Sequence, residues 1–544
     1  MRKLLLPLLV ALAACAHHGP ADLAPLSLPP DSVMLPAADS AAAVHLLDRF
    51  AFGPRPGDIA HVQAVGLRGW LEEQLNPSRL DDAAGDSALR RYRLALGNPA
   101  DLYADYAPGP PAARADSAAR HRQMQGQRQL AEAVMMSALA RHVASRRQLL
   151  EVMADFWTNH FNIFMAKGAD RWLTADFVER VIRPHALGKF EDLLVATATH
   201  PAMLIYLDNA QSVAPGSHPP AARPAPAVMP RRGFAPMFPP PRAPARAEEG
   251  LNENYARELM ELHTLGVDGG YTQEDVIEVA RILTGWGVTQ PRRMGVGRYA
   301  FEFHAWAHDY GSKTVLGVEF PAGHATDEGR RLLHLLAENP ATARHLSHQL
   351  CARFVADAPP DGCVDAAVAA WQRSDGDIRA VLVAIAASPD FWAPEYRAAK
   401  FKAPLAFVAS AVRALDGAPD TTARLTAALQ QLGEPLFMHL TPDGYPDAAA
   451  EWLNSGAILT RMNLALALAS GRLPGVVVDL DRLSPLTGDY DALVRNVNAS
   501  VLGGQGSEHT LQVIRQQIGD MPNAANARAM AVGLALGSPD FQRE

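Results

Sequence analysis

Residues 251–286 read LNENYARELMELHTLGVDGGYTQEDVIEVARILTGW, and this stretch decides the fold class. Apolar residues recur every three or four positions on both sides of a glycine-rich segment, which predicts two helices joined by a turn. Thr272 lies three residues before Asp275 and predicts the capped start of the second helix. The pattern therefore indicates that packed helices organise the chain.

The first of these helices carries a carboxylate on its apolar face. With about 100° per residue, one arc of roughly 120° holds five apolar side chains: Leu251, Tyr255, Leu259, Leu262 and Leu265. Glu258 falls inside this arc, Asn254 and Glu261 lie at its edge, and Arg257 lies just beyond it. A buried carboxylate is costly unless it is paired, hydrogen-bonded or ligated, so some group must face Glu258.

Two interpretations of Glu258 are open at this stage. In the structural one, an arginine neutralises the carboxylate within a polar packing network, for which the candidates are Asn252, Asn254, Arg257 and Arg281. In the functional one, Glu258 is a general base or a ligand of a divalent metal, because desolvation raises the pKa of a carboxyl group.

A second informative stretch, SRRQLLEVMADFWTNHFNIF, ends a long helix predicted from about Asp116 to His160. His160 shares a helix face with apolar side chains, namely Leu149, Met153, Phe156, Trp157 and Phe164. Such a histidine is either a hydrogen-bonded core residue or an acid–base group or metal ligand. The candidate metal ligands in the chain are therefore His160, Glu258 and Glu261.

One region predicts β-structure. Residues 298–323 alternate apolar and polar side chains around Asp309–Ser312, which predicts a small hairpin with its turn there. His308, Asp309 and Lys313 crowd this turn and are candidate catalytic residues. The alternative is an ordinary charged turn that is solvated.

The overall charge limits the classes of partner. The chain has 544 residues and a formal net charge of -8, without the basic stripe of a nucleic-acid-binding protein, so we expect no nucleic-acid partner. Established catalytic motifs such as Gly-x-Ser-x-Gly, a Walker loop, His-Glu-x-x-His or Cys-x-x-Cys are absent.

The N-terminus predicts export. Residues 1–14 combine two cations with an apolar run too short to span a bilayer, which is typical of a signal peptide. Cys15 follows directly after small residues, as in bacterial lipoproteins, where this cysteine receives lipid. Ala16 follows instead of aspartate, so the resemblance to lipoproteins implies an outer-membrane anchor. The alternative is an ordinary secretory peptide with an incidental cysteine.

Because export is predicted, the two remaining cysteines are candidates for a disulfide bond. Cys351 and Cys363 lie twelve residues apart in a chain expected to reach a compartment that permits disulfides. A bridge between them would add about 3 kcal/mol of stability. Two separate buried thiols are the alternative.

Two segments have compositions that do not favour a packed core. Residues 15–40 predict a flexible tether between the lipid and the body of the protein. Residues 213–249, rich in Pro, Ala and Arg, predict a disordered surface insertion. The rest, residues 41–544, is predicted to be one mainly α domain: a large, bundle-like helical unit with one small β-hairpin.

Several stretches together resemble a family of exported bacterial proteins, the domain of unknown function 1800 family. They are HLLDRFAFGPRPGD (45–58), SRRQLLEVMADFWTNHF (145–161), NENYARELMELHTLGVDGGYTQEDV (252–276), HDYGSKTVLG (308–317), KFKAPLAFVASAVRAL (400–415), EWLNSGAILTRMN (451–463) and SPDFQRE (538–544). Thr158 departs from the family, which more often has His or Asn at that position. The resemblance implies one large helical unit into which the Pro-rich segment is inserted.

The family resemblance implies no reaction. It implies a candidate partner, because members are often encoded beside secreted proteins of the domain of unknown function 1501 group. Two function classes therefore stay open. One is an envelope enzyme, hydrolytic or metal-dependent, whose candidate site residues are Glu258, Glu261, His160, His308, Asp309 and Lys313. The other is a lipid-anchored scaffold that binds a secreted partner without catalysis.

Overall fold

The computed structural model describes residues 23–28, 33–107, 117–217, 250–291, 297–420, 422–485 and 489–544. The predicted signal peptide, the predicted lipid-attachment residue Cys15 and most of the predicted insertion lie outside these residues. Within them the fold is mainly α, as the helical periodicity predicts.

Helices make up most of the N-terminal half. Their bounds are Ser40–Phe50, Asp58–Leu75, Ala83–Leu89, Pro99–Tyr106, Ser117–Ala144, Gln148–His160, Asp170–Phe177, Arg183–His185, Phe190–Ala198, Pro201–Tyr206, Glu253–Met260 and Gln273–Ile282. Two of them continue into π-helical turns, Val178–Ile182 and Glu261–Leu265.

Further helices follow a short β-region. Their bounds are Thr326–Ala337, Pro340–Phe354, Asp361–Ser374, Ile378–Ala387, Pro389–Trp392, Pro404–Ala414, Arg424–Gln431, Ala449–Trp452, Ser455–Ala469, Leu480–Leu483, Tyr490–Val501, Glu508–Ile518, Ala524–Gly537 and Pro539–Gln542. No helix in the described part of the chain combines the length and apolar character that a membrane crossing needs.

The β-structure differs from the single hairpin that the alternation predicts. Three two-stranded antiparallel sheets occur among the described residues, pairing Trp286–Thr289 with Ala300–Phe303, Lys313–Val315 with Val318–Phe320, and Ala418–Pro419 with Val476–Val477. The segment Asp309–Ser312 connects two of these sheets and is not a hairpin turn. The tight turn lies at Leu316–Gly317, where both residues have positive φ. Leucine is not a usual turn residue, so alternation alone does not reveal this position.

The long helix predicted to end at His160 is two helices. Ser117–Ala144 ends before Ser145, and a new helix begins at Gln148. Asp82 accepts hydrogen bonds from the Ser145 hydroxyl and the Arg146 backbone nitrogen, both at 2.7 Å. These hydrogen bonds satisfy polar groups at the break between the two helices. Asp82, which is distant in sequence, therefore interrupts the helical periodicity that predicted one continuous helix.

One contiguous hydrophobic cluster contains buried side chains from Leu28 to Phe541. A smaller cluster, around Trp172, lies beside the Ser117–Ala144 helix. A disulfide joins Cys351 to Cys363, with the two Cα atoms 6.2 Å apart, and thereby links two consecutive helices.

The segment predicted as a flexible tether belongs partly to the packed body. Leu28 and Val33 are buried, and the Leu26 backbone nitrogen donates to Asn76 Oδ1 at 2.7 Å. The Arg68 guanidinium donates to the Val33 carbonyl at 2.6 Å. The prediction of a tether through residue 40 is therefore wrong for these residues, whose backbone is hydrogen-bonded to Arg68 and Asn76. Their apolar side chains lie beside the Asp361–Ser374 and Ile378–Ala387 helices.

The predicted insertion begins later than its composition suggests. Val213 and Ala214 are buried, and the Ala214 nitrogen donates to the Ala307 carbonyl at 2.8 Å. The Val213 nitrogen donates to the Gly250 carbonyl at 3.3 Å. The described residues on the two sides of the insertion are therefore hydrogen-bonded to each other, and residues 218–249 lie outside those described.

Candidate functional site

A cavity of about 330 Å³ lies beside the C-terminal end of the Gln148–His160 helix. Its walls also include the Pro340–Phe354 helix, the 434–447 segment and Glu544. The mouth is at the 443–447 loop, because the side chain of Asp443 is 63% exposed. Side chains from opposite ends of the chain therefore meet in one space.

Two carboxyl groups line this cavity without a directly bonded cation. Asp155 is half-buried and makes no hydrogen bond or ion pair with any described residue. Glu434 is buried, and its Oε2 accepts one hydrogen bond, from the Leu405 backbone nitrogen at 2.7 Å. Because neither carboxyl is neutralised by contact, both are available to a molecule in the cavity.

Burial changes the proton affinity of both groups in the same direction. It raises the pKa of Asp155 to about 6, with Arg353 opposing the change and Asp447 adding to it. It raises the pKa of Glu434 to about 8, and the nearby Asp155 charge raises it further. Between these two pH values Glu434 carries a proton and Asp155 carries a negative charge.

Asn159 and Asn162 attach the mouth loop to the wall. Asn159 exchanges two hydrogen bonds with the backbone of Tyr445, at 2.8 and 2.7 Å. Asn162 Nδ2 donates to the carbonyls of His439 and Thr441, at 3.2 and 2.7 Å. The stretch WTNHFN therefore shapes the cavity by holding a loop that lies far away in sequence.

Buried cations pair with two further wall carboxylates, Asp447 and Glu544. Lys400 Nζ contacts Asp447 Oδ2 at 3.0 Å and Asp357 Oδ1 at 2.6 Å. Arg353 Nη1 contacts Glu544 Oε1 at 3.3 Å. These pairs neutralise two wall carboxylates, so at neutral pH the uncompensated negative charge of the cavity comes mainly from Asp155 and Asp443.

His160, which the sequence analysis proposed as an acid–base group or a core residue, lines the cavity. Its Nε2 donates to the His263 carbonyl at 3.2 Å. Burial lowers the pKa of His160 to about 3, with the nearby His345 lowering it further, so the imidazole is neutral at physiological pH. Of the two roles left open by the sequence, the geometry favours a hydrogen-bonded wall residue.

Glu258 and Glu261 do not line the cavity, and the predicted arginine partner of Glu258 is absent. Glu258 is half-buried, with no hydrogen bond or ion pair to any described residue. Arg257 instead lies on the outer side, 4.0 Å from Glu253 and hydrogen-bonded to Gln273. Burial raises the pKa of Glu258, and the nearby Glu261 raises it further.

The π-helical turn explains part of this difference. From Glu261 onward each turn takes in an extra residue, so the 100° spacing used for the prediction no longer holds. His263 and Thr264 become buried, whereas Leu262 is only half-buried and reaches the cavity. The predicted apolar face is therefore correct for Tyr255, Leu259 and Leu265, which are buried, whereas Leu262 is displaced.

The candidates His308 and Lys313 form a separate closed cluster around Glu328. His308 Nε2 and Lys313 Nζ contact Glu328 Oε1 at 2.9 and 2.6 Å, and all three side chains are buried. Asp309 pairs with Arg281, whose Nε lies 2.8 Å from Asp309 Oδ2. The predicted convergence of this turn with His160 is not observed, because the turn residues satisfy one another.

The predicted network of amides does not form either. Asn252 caps the Glu253–Met260 helix by accepting hydrogen bonds from two backbone nitrogens, and Asn254 is exposed. No group of three His, Cys, Asp or Glu residues in the described ranges has an arrangement that could hold a metal ion. The three candidate metal ligands, His160, Glu258 and Glu261, are not brought together.

A family model described as "Protein of unknown function (DUF1800)" matches residues 45–543, nearly the whole chain. The chain belongs to the DUF1800 family. No curated protein and no solved structure matches it. The DUF1800 stretches quoted above supply much of the cavity wall, including Phe52, Asp155, Leu262, Leu405 and Glu544.

Sequence reasoning missed all the carboxylates that line the cavity of this DUF1800 chain. Asp155 was detectable, because it is a charged residue between apolar neighbours in the stretch VMADFW. Glu434 stands in QLGEPLF, a short segment without periodicity, and has no such signal. Arg353, Lys400 and Glu544 acquire their roles only through tertiary contacts.

Proposed function

We propose that the chain is a hydrolase in which Asp155 and Glu434 act as a general base and a general acid on a neutral, hydroxyl-rich substrate. The observation that carries this proposal is the shared cavity: both carboxyl groups line it, and neither has a directly bonded cation. Paired carboxyl groups are the usual machinery for hydrolysing glycosidic bonds.

Their different surroundings assign the two roles. The raised pKa of Glu434, about 8, keeps this group protonated at neutral pH, so it can donate a proton to the leaving oxygen. Asp155, with a pKa of about 6, is ionised there and can accept a proton from the attacking water. The water oxygen bonds to the substrate carbon as the bond to the leaving oxygen breaks, and solvent then restores both protonation states.

The lining favours an uncharged ligand with apolar faces. Phe52, Phe156, Phe437 and Tyr445 contribute aromatic surface on which sugar rings could stack. The negative charges of Asp155 and Asp443 oppose a phosphorylated or carboxylated substrate. The volume of about 330 Å³ is at the lower end for small-molecule sites, so the cavity would take one short unit or a chain end.

An assay of reducing-end release from bacterial envelope polysaccharide tests this function. We expect activity in the wild-type chain and a loss of at least a hundredfold in Asp155→Asn and Glu434→Gln, the usual scale of general acid–base catalysis. Asp170→Asn is the matched control, because Asp170 is fully buried and has no partner among the described residues, yet does not line the cavity. Equal activity in all three variants would contradict the proposal.

We also propose that the protein works in the cell envelope, held by lipid on Cys15, a reading supported by the N-terminal sequence. Cys15→Ser should abolish lipid labelling and release the protein from the membrane fraction. Unchanged membrane retention would contradict the anchor.

The competing role is a scaffold for a secreted partner of the domain of unknown function 1501 group. It would be supported by binding to such a protein without any hydrolysis.

A further inference from the structure

A second, much smaller cavity adjoins the first. Its volume is about 30 Å³, and it shares the wall residues Asp155, Thr158, Leu436 and Phe437 with the larger cavity. Asp155 therefore stands between two spaces, one large enough for a ligand and one the size of a single solvent molecule.

Two polar atoms at this small cavity lack partners. Glu151 Oε1 and His142 Nδ1 are buried and have no hydrogen bond to any described residue, and both side chains line the cavity. The other oxygen of Glu151 is bonded to Arg183. Buried polar atoms are rarely left unsatisfied in native proteins, so a partner that is not part of the chain is implied.

Ion-paired side chains also line this small cavity. Arg141 Nη2 contacts Glu179 Oε2 at 2.6 Å, and Arg183 Nε lies 3.6 Å from the same carboxylate. Glu151 and His142 approach to 3.9 Å, but burial lowers the pKa of His142 to about 4, so the contact is not an ion pair at neutral pH. A neutral, compact partner fits this environment better than an ion.

We propose that the small cavity holds one ordered water molecule that bridges Glu151, His142 and Asp155. The water donates hydrogen bonds to Glu151 Oε1 and to the Asp155 carboxylate, and it accepts one from His142 Nδ1–H. Three polar partners and a volume near that of one liquid water molecule are what a buried water requires.

Such a water would make Glu151 and His142 positioning residues for Asp155. The charged groups that act on Asp155 from the large cavity are Arg353 and Asp447. The water would add a donor from the opposite side, which stabilises the ionised carboxylate and orients it. This consequence rests on the proposed function, whereas the presence of the water does not.

A crystal structure of the wild-type protein at a resolution that shows ordered solvent tests the site directly. We expect density within hydrogen-bond distance of Glu151 Oε1, His142 Nδ1 and Asp155. Ala138→Val should remove it, because Ala138 lines the small cavity and added methyl groups would fill the space. Ala133→Val, the same change on the same helix, is the control, because Ala133 does not line this cavity.

An infrared titration of the Asp155 carboxyl group, assigned with Asp155→Asn, provides a readout that simple packing would not change. Loss of one donor to the charged form should raise the titration midpoint by about one pH unit in Ala138→Val and not in Ala133→Val. An empty cavity in the wild-type structure would overturn the proposal, as would equal midpoints in the two variants. Finding the water while hydrolysis fails would reject only the proposed function.

Discussion

Asn159 and the backbone of Tyr445 form a reciprocal pair of hydrogen bonds: Asn159 Nδ2 donates to the Tyr445 carbonyl, and the Tyr445 nitrogen donates to Asn159 Oδ1. The adjacent Gly444 has φ +73°, and a Cβ there would lie 2.4 Å from the Asn159 carbonyl. A helix end and a loop nearly three hundred residues later are thus locked together at the mouth of the cavity.

Asn159→Ala should loosen this loop. It removes both hydrogen bonds and leaves two partly buried backbone groups unpaired, so we expect a loss of about 1–3 kcal/mol in the free energy of unfolding. Hydrogen exchange should rise at residues 439–447 before it rises elsewhere. Asn254→Ala is the control, because Asn254 is exposed, and it should change neither quantity. Equal effects of the two variants would show that the Asn159–Tyr445 hydrogen bonds do not hold the loop.

The raised pKa of Glu434 makes stability depend on pH. Between its ordinary pKa of 4.5 and the folded value of about 8, the folded chain binds more protons at this site than the unfolded chain does. The contribution of Glu434 to stability therefore falls as pH rises through this window. Glu434→Gln mimics the protonated form, so at pH 8 and above it should be more stable than the wild type by up to a few kcal/mol.

Denaturant unfolding at pH 5 and pH 9 measures this effect. The advantage of Glu434→Gln should be small at pH 5, where both side chains are neutral, and larger at pH 9. Asp365→Asn, a change at an exposed carboxylate, should show no such pH dependence. If the stability difference between Glu434→Gln and the wild type were the same at both pH values, Glu434 would not be desolvated.

Glu258 and Glu328 should respond oppositely to the same substitution. Glu258→Gln removes a half-buried charge that has no partner among the described residues, so the melting temperature should stay unchanged or rise slightly. Glu328→Gln leaves the buried Lys313 without its carboxylate and should cost about 3–5 kcal/mol. Thermal and denaturant unfolding of the two variants, compared with the wild type, measures these changes in stability. Strong destabilisation by Glu258→Gln would restore the buried ion pair predicted from the helical wheel.

Residues 218–249 should be replaceable without loss of the fold. Val213 and Gly250 are hydrogen-bonded neighbours, so a short Gly-Ser linker can close the gap, and we expect the melting temperature to change by only a degree or two. A replacement extended to residues 213–249 should destabilise more, because it removes the buried Val213 and Ala214. Comparable melts for both variants would show that the boundary lies elsewhere.

The helical wheel predicted the fold class well and the site poorly, for a physical reason. Local periodicity reports which side of a helix is apolar, and this was sufficient for Tyr255 and Leu259. It assumes regular α-geometry, so the π-helical turn at Glu261 shifted the positions of His263 and Thr264 without any local warning. The break at Ser145 was hidden for a similar reason, since it depends on Asp82.

The cavity itself is a tertiary property. Asp155, Glu434 and Glu544 come from three separate regions, and no spacing in the sequence relates them. His308 and Lys313 gave a local signal because they are close in sequence, but their partner Glu328 makes them a closed structural cluster. Proximity along the chain therefore identified a charged cluster, and only the tertiary structure shows that Glu328 pairs with its members.

The disulfide between Cys351 and Cys363 makes the stability of the cavity wall depend on the redox state of the compartment. Cys351 immediately precedes Ala352 and Arg353, both of which line the cavity. Protein made in a reducing cytosol would lack this crosslink and about 3 kcal/mol of stability. Recombinant protein from such a host would therefore present a looser Arg353–Glu544 wall, and its inactivity would say little about the disulfide-bonded form.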